Sequence, residues 1–573
     1  MTNLFTYLKE YKWQAILAPL FKMLEALFEL MVPIIMAYII DYGIENNDTK
    51  CIILMGLLLL LLAIVGLVCS VTAQYFSAKT AVGVASNVRH ITFAHIQSLS
   101  FKEIDEIGTS TLITRLTSDI NQFQTGINMG LRLLLRSPFI VFGSMIMAFF
   151  VDAKLALIFV VIIPILAIIV FAIILLTRPL YQKIQRKLDT VLKLTRENIS
   201  GNRVVRAFAI ENNEIYKFNN ASNELYKEEV KGGIFSNLMN PLTYVIINLG
   251  IVAIIYFSEQ PVFKGDLSQG QVVALYNYMS QILVELIKLA NLVITISKAL
   301  ASKKRIESVL DIKSSQDFIN ENNNSIKDNS IIFNNVSFQY SNSKEENLSN
   351  ISFQANEGDI IGIIGGTGSG KTTLVSVLSR FYDANSGSIT LFGNDIKTYS
   401  KDYLRDNIGN VLQKATLFKG SIRDNMKWGN ENASDEEIYK YLNLACAKTI
   451  VDKKTEGLDY QITQNGKNLS GGEKQRLSIT RTLLKKPKIL ILDDSTSALD
   501  YLTEYTLRQN LKTLDYKPIV FIVSQRAASV MHADKIIVLD DGKNVGTGTH
   551  EELLKTCKEY QEIYYSQYGK EGK

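Results

Sequence analysis

Cysteine is scarce in this chain. Its 573 residues hold four, Cys51, Cys69, Cys446 and Cys557, scattered and without CxxC spacing. That excludes a disulfide-built scaffold or a cysteine-ligated metal framework and fits a reduced compartment. Net charge is thin as well: at +5 for this length, the chain lacks the cation excess of a nucleic-acid binder and is not built to meet an acidic partner. No cleavable leader is expected either, because Met1–Lys12 is polar and amphipathic and the first apolar run carries charges. Insertion into a membrane would then rely on the chain's own apolar helices.

Hydrophobic residues make up 47% of the chain, and the two halves differ. Up to about Leu300 there are repeated long apolar runs, whereas from about Asp328 the sequence reads as a soluble α/β protein. A helix that crosses the hydrocarbon core needs roughly 20 mostly apolar residues. Six segments qualify, near Ile16–Ile40, Ile52–Thr72, Pro138–Val151, Leu155–Leu176, Leu238–Phe257 and Val272–Ile296. The third is short and is expected to begin before Pro138, near Leu131. The connections after the second and fourth segments are long and rich in Lys and Arg, which places them on the cytoplasmic side together with both termini. Each shows helical periodicity and one break, at Glu106–Thr111 and Ala207–Asn213, where short transverse helices are expected. A domain of six spans over 1–309, a linker over 310–329 and a soluble domain over 330–573 follow.

Charges within spans are expensive, so Lys22, Glu25 and Glu29 in the first and Glu285 and Lys288 in the sixth are expected to face a bundle interior, a cavity or one another. Structural pairing is the plainer expectation. Glu285 is the best single candidate for a translocation pathway. Pro33 and Asn240-Pro241 are expected to kink their helices.

In the soluble half, Gly365-Gly366-Thr367-Gly368-Ser369-Gly370-Lys371-Thr372 follows the apolar strand Ile360–Ile364 and precedes a helical pattern from Thr373. This is the phosphate-loop pattern: glycines let backbone N–H groups wrap phosphates, Lys371 reaches the terminal phosphates, and Thr372 can ligate Mg²⁺. Further on, Ile489-Leu490-Ile491-Leu492 ends in Asp493-Asp494, and a carboxylate at the end of such a buried strand is well placed to hold Mg²⁺ beside the phosphates.

Specificity comes from Leu469-Ser470-Gly471-Gly472-Glu473-Lys474-Gln475-Arg476. With this signature the chain resembles the ATP-binding cassette family, and with six spans and long arms it resembles that family's exporter-type half-transporters. The resemblance implies an all-α membrane domain with long cytoplasmic extensions joined to an α/β P-loop cassette, with ATP and Mg²⁺ as cofactors. It further implies that Tyr340 stacks on adenine, that Gly365 to Thr373 cradle the phosphates, and that Thr372, Gln413 and Asp493 surround the metal. Ser497-Ala498-Leu499-Asp500 matches the loop that crosses between cassettes, and segments near Gly108–Arg115 and Ala207–Glu211 match the coupling helices. In the family each ATP lies between the phosphate loop of one cassette and the signature of another. Ser470, Gly471 and Gly472 would therefore serve a partner's site.

Three positions depart from the family pattern. Asp494 stands where Glu usually positions or deprotonates the attacking water, which sets its carboxylate about 1–1.5 Å back, a displacement that can cost about 100-fold. Gln525 replaces the switch His and cannot carry its charge. Gln464 replaces a Glu upstream of the signature. These departures resemble the degenerate-site subunit of heterodimeric multidrug exporters. The expectation is ATP-driven export of an amphipathic drug, lipid or peptide across a bacterial cell membrane, with hydrolysis mainly at a partner subunit's site. The alternatives are a homodimeric exporter or lipid flippase with two slow sites, or a nucleotide-gated regulatory subunit. The expected contacts are a second half-transporter subunit, membrane lipids and the substrate, with no nucleic acid.

Overall fold

The computed structural model describes residues 4–318 and 328–569, so the expected linker lies partly outside the described residues. The chain divides into two compact units: one holds Met1–Gln97 and Ser110–Ile312, the other Ser98–Thr109 and Lys313–Lys573.

The soluble unit is built on a six-stranded sheet whose central strands are apolar throughout. Ile360–Gly365, Ile489–Asp493 and Ile519–Ser524 are buried along their whole length. Strands covered on both faces pair in parallel, because the helical crossovers between them occupy those faces. Ile519–Ser524 lies between the other two and parallel to both, so Val523 is opposite Asp493 and Ser524 opposite Ile364. The sheet continues through Ile408–Val411 on one side and through Lys535–Asp540 to the antiparallel edge Lys543–Gly548 on the other. A second, antiparallel sheet pairs Leu348–Asn356, Ser330–Phe338, Ser386–Leu391 and Asn394–Asp395 in that order.

The first arm tip belongs to this unit. Its short helix, Phe101–Ile107, is held by a capping box between Ser100 and Glu103 and stops at Gly108, whose φ of 81° suits glycine. Phe101 packs its ring on Phe381 at 4.7 Å, and the Tyr382 hydroxyl donates to Asp105. The second tip forms the helix Asn202–Ala207 before a break at Phe208–Ile210. The breaks fall at Gly108 and at Phe208–Ile210, within the segments Glu106–Thr111 and Ala207–Asn213.

Among the described residues six helices are long and apolar enough to cross a bilayer: Leu4–Ile44, Thr49–Ser98, Thr109–Val151, Ala153–Ser200, Glu211–Lys264 and Gln269–Leu310. The third is helical well before Pro138, as expected. The fifth span is interrupted at Leu238, between the helices Glu211–Asn237 and Met239–Lys264, just before Asn240-Pro241. Asp41 ties the outer ends of the first and sixth spans by accepting from the Ser268 hydroxyl at 2.5 Å and from the Gly270 N–H at 2.8 Å. A β-carbon at Gly270 would come within 2.3 Å of the Ala37 carbonyl oxygen, so this close crossing requires glycine.

The intramembrane charges pair through a residue the sequence does not single out. Arg136, 7% exposed, reaches Glu285 at 2.7 Å and Glu29 at 2.6 Å. Glu285, 3% exposed, also accepts from Ser137 at 2.8 Å and from Lys288 at 2.8 Å. Lys22 pairs with Glu25 at 2.5 Å and donates to Ser70 at 2.9 Å. Three cations and three carboxylates thus balance where hydrocarbon would not solvate them, and they fix the first, third and sixth spans against one another. Removing one partner of such a buried pair strands a charge and costs about 3–5 kcal/mol, whereas removing both costs far less. Arg136→Ala should therefore lower thermal unfolding in detergent sharply, and Arg136→Ala with Glu285→Ala should recover much of the loss. Equal losses in the single and double variants would contradict this account.

Candidate nucleotide site

The carboxyl end of Ile360–Gly365 turns through Gly366–Gly370 into the helix Lys371–Leu378. Gly368 and Gly370 have φ of 85° and 94°, and a β-carbon at Gly370 would meet the Asn347 carbonyl oxygen at 2.7 Å. Only glycine allows this path, and it leaves the first N–H groups of the helix pointing into the loop, an arrangement that binds phosphate. The Lys371 ammonium folds back over the same loop, donating to the carbonyl oxygens of Gly365 at 3.0 Å and Gly366 at 2.6 Å and to Ser369 Oγ at 3.3 Å. Burial lowers its pKa, against the pull of Asp494 and Asp493.

The parallel register carries Asp493 to the same edge. Thr372 Oγ1 donates to Asp493 Oδ1 at 3.2 Å. Burial pushes the Asp493 carboxyl above its ordinary value and Asp494 adds to this, while Thr372 and Lys371 oppose it. A hydroxyl and a buried carboxylate in contact are all-oxygen donors, which suits a hard cation such as Mg²⁺. Gln413 Nε2 donates to Asp494 Oδ2 at 3.2 Å, so the glutamine loop and the second carboxylate already meet. Asp494 has a left-handed φ of 45°, and its N–H donates to the Val523 carbonyl at 2.9 Å. Gln525 follows Ile519–Ser524, between the phosphate loop and Asp494, and Thr367 Oγ1 donates to its Oε1 at 3.4 Å. Tyr340 lies at the helix side, its hydroxyl 3.4 Å from Thr373 Oγ1 and its ring edge-on to Tyr382 at 5.2 Å.

Ser470, Gly471 and Gly472 open the helix Gly471–Leu483 and are not among these contacts. Ser470 Oγ accepts from the Glu473 N–H at 3.3 Å, and Glu473 Oε2 accepts from the Ser470 N–H at 2.7 Å. Burial acts to raise the Glu473 carboxyl, but these bonds hold it below its ordinary value. The box leaves open space at Gly471. Glu473 is therefore a capping residue; the Ser-x-x-Glu spacing was the available signal. Gln475, buried, donates to the Leu412 carbonyl at 3.3 Å and ties the signature helix to the glutamine loop. Asp500 caps the next helix, accepting from the Thr503 N–H at 3.1 Å. Gln464 lies in the short turn Gln464–Gly466.

Together these features define a P-loop nucleotide-binding cassette on a chain with six membrane-spanning helices. Residues 15–286 match the family model described as the ABC transporter transmembrane region, and residues 348–497 match the one described as ABC transporter. The chain is 34% identical to the uncharacterized ABC transporter ATP-binding protein YfiB of Bacillus subtilis, over 100% of this chain and 99% of that one. It is also 34% identical to an ATP-dependent lipid A-core flippase of Desulfotalea psychrophila over 83% of each chain. The chain belongs to the ABC transporter family. It is an exporter-type, multi-pass membrane transporter whose cytoplasmic cassette couples ATP binding and hydrolysis to transmembrane transport. A solved bacterial Atm1-family ABC exporter with ATP bound shares its fold, with a TM-score of 0.80 at 23% identity over 99% of both chains.

That neighbour corrects one expectation. The preference for a different subunit as partner is set aside, because the chain shares the fold of an Atm1-family exporter over 99% of both chains.

The capping box gives a direct test. Glu473→Gln keeps an acceptor for the Ser470 N–H and should leave stability and ATP turnover near the wild-type values. Glu473→Ala should cost about 0.5–1 kcal/mol and lower ATP turnover. Equal behaviour of the two variants in thermal unfolding and ATPase assays would contradict the assignment.

Proposed function

We propose that two copies of this chain form an ATP-driven exporter of amphipathic molecules, with two ATP sites that bind nucleotide well and hydrolyse it slowly. The observation that carries this reading is the arrangement around Asp494. Its carboxylate is short by one methylene and is bonded to Gln413, and Gln525, which follows the strand between the phosphate loop and Asp494, is neutral. The groups that bind are complete, while those that activate water are reduced.

In this reading Lys371 and the loop N–H groups hold the phosphates, Tyr340 faces the adenine, and Thr372, Asp493 and Gln413 hold Mg²⁺. The metal would supply charge neutralisation at the phosphates. Ser470, Gly471 and Gly472 of each copy close the other copy's site, offering a hydroxyl and the N–H groups at a helix end. Asp494 orients water, less well than a longer carboxylate, and Gln525 donates to the γ-phosphate without adding charge. The short helices Phe101–Ile107 and Asn202–Ala207 carry closure of the cassettes to the spans. A lipid substrate is favoured among amphipathic molecules because the flippase relative is similar over most of its length.

The chain expressed alone and reconstituted in liposomes should move a fluorescent phospholipid in an ATP-dependent way, with turnover well below 1–100 s⁻¹, a range common for phosphoryl transfer. Asp494→Glu with Gln525→His should raise ATP turnover by roughly 10–100-fold. Unchanged turnover in that variant would remove the slow-site reading, and absence of transport by the lone chain would remove the two-copy reading.

A further inference from the structure

The turn that carries Gln525 is held by a residue 42 positions further along the chain. Gln567 lies in the last turn of the helix Lys558–Tyr568. Its carboxamide meets the backbone twice: Oε1 accepts from the Ala527 N–H at 2.9 Å, and Nε2 donates to the Gln525 carbonyl oxygen at 2.8 Å. One planar side-chain group therefore spans Gln525 to Ala527 and fixes the peptide planes on either side of Arg526.

The local sequence does not fix this turn by itself. Ser524 ends a strand and is paired with Ile364, so the sheet sets the chain up to that point. Beyond it the chain turns into the short helix Ala527–Val530, and Arg526, which precedes that helix, supplies no side-chain cap because a guanidinium has no acceptor. Ala527 is fully buried, and its N–H is one of the donors that a helix start leaves unpaired. The Arg526 N–H is satisfied nearby, by Ser524 Oγ at 3.0 Å, whereas the Gln525 carbonyl and the Ala527 N–H meet Gln567.

Gln567 can hold the turn because its own helix is anchored. Tyr560 is fully buried, and its hydroxyl shares a hydrogen bond with His550 Nδ1 at 2.7 Å. Tyr564 packs its ring on His550 at 5.2 Å and on Tyr568 at 4.8 Å. Tyr560, Tyr564 and Gln567 recur at helical spacing, so one face of the helix carries both the anchor and the clamp.

We propose that Gln567 is a positioning residue for ATP hydrolysis, fixing the backbone from which Gln525 reaches the terminal phosphate. This rests on the reading in which Gln525 donates to the γ-phosphate. Thr367 Oγ1 donates to Gln525 Oε1 at 3.4 Å, which engages the acceptor of that amide with the phosphate loop and leaves its donor, Nε2, for a phosphate oxygen. The direction of that donor follows from the backbone that Gln567 holds.

The test compares ATP turnover of the full-length protein in nanodiscs for Gln567→Glu, Gln567→Met, Gln525→Ala and the two double variants. Gln567→Glu keeps the acceptor for Ala527 but sets an oxygen against the Gln525 carbonyl oxygen. It should lower kcat about 3–10-fold while leaving KM for ATP and thermal unfolding unchanged. Gln567→Met adds no charge and removes both bonds, and it should lower kcat at least as much. In the Gln525→Ala background neither substitution should lower kcat further, because the side chain they position is gone. If Gln525→Ala lowers kcat and the Gln567 variants do not, this inference falls while the reading of Gln525 stands. If Gln525→Ala leaves kcat unchanged, the reading of Gln525 falls and takes this inference with it. Losses of equal size with and without the Gln525 side chain would show a role in charge or folding alone and overturn the proposal.

Discussion

The parallel pairing of three buried strands is the constraint on which the nucleotide site depends. Ile519–Ser524 holds Ile360–Gly365 on one side and Ile489–Asp493 on the other, all in one direction. Their carboxyl ends must then open on the same edge, and with them the phosphate loop, Asp493-Asp494 and Gln525. A slip of one residue would turn Asp493 to the opposite face of the sheet. Buried β-branched and leucine side chains on both faces oppose such a slip, so the apolar core fixes the positions of the polar groups that meet phosphate.

The same logic operates in the membrane unit with the signs reversed. There the surroundings are apolar, and the fixed elements are charges that cannot be left unpaired. Arg136 gathers Glu29 and Glu285 from two other spans. Glu285, the leading sequence candidate for a translocation pathway, is 3% exposed and occupied by Arg136, Ser137 and Lys288. Its position fits a structural tie better than a substrate contact.

Much of this architecture is legible in the sequence because its signals are local. The six apolar runs, the Gly365–Thr372 loop and the Ser470-Gly471-Gly472 signature each declare themselves within a few residues. What the sequence does not reveal is pairing at a distance. Arg136 reads as one more cation at the end of a basic connection, and its bond to Glu285 spans 149 positions. Gln413 and Asp494, 81 residues apart, meet only through the sheet register. The expected heterodimer rests on departures at Asp494, Gln525 and Gln464, and substitutions within one chain carry no information about the identity of its partner.

The central claim is that two identical chains form two ATP sites that bind and retain nucleotide. Native mass spectrometry of the chain expressed alone, released from detergent in Mg²⁺ and ATP, measures this directly. The account predicts a complex of two chains carrying two intact ATP molecules. A chain that stays single, or a pair that holds no ATP, would contradict it.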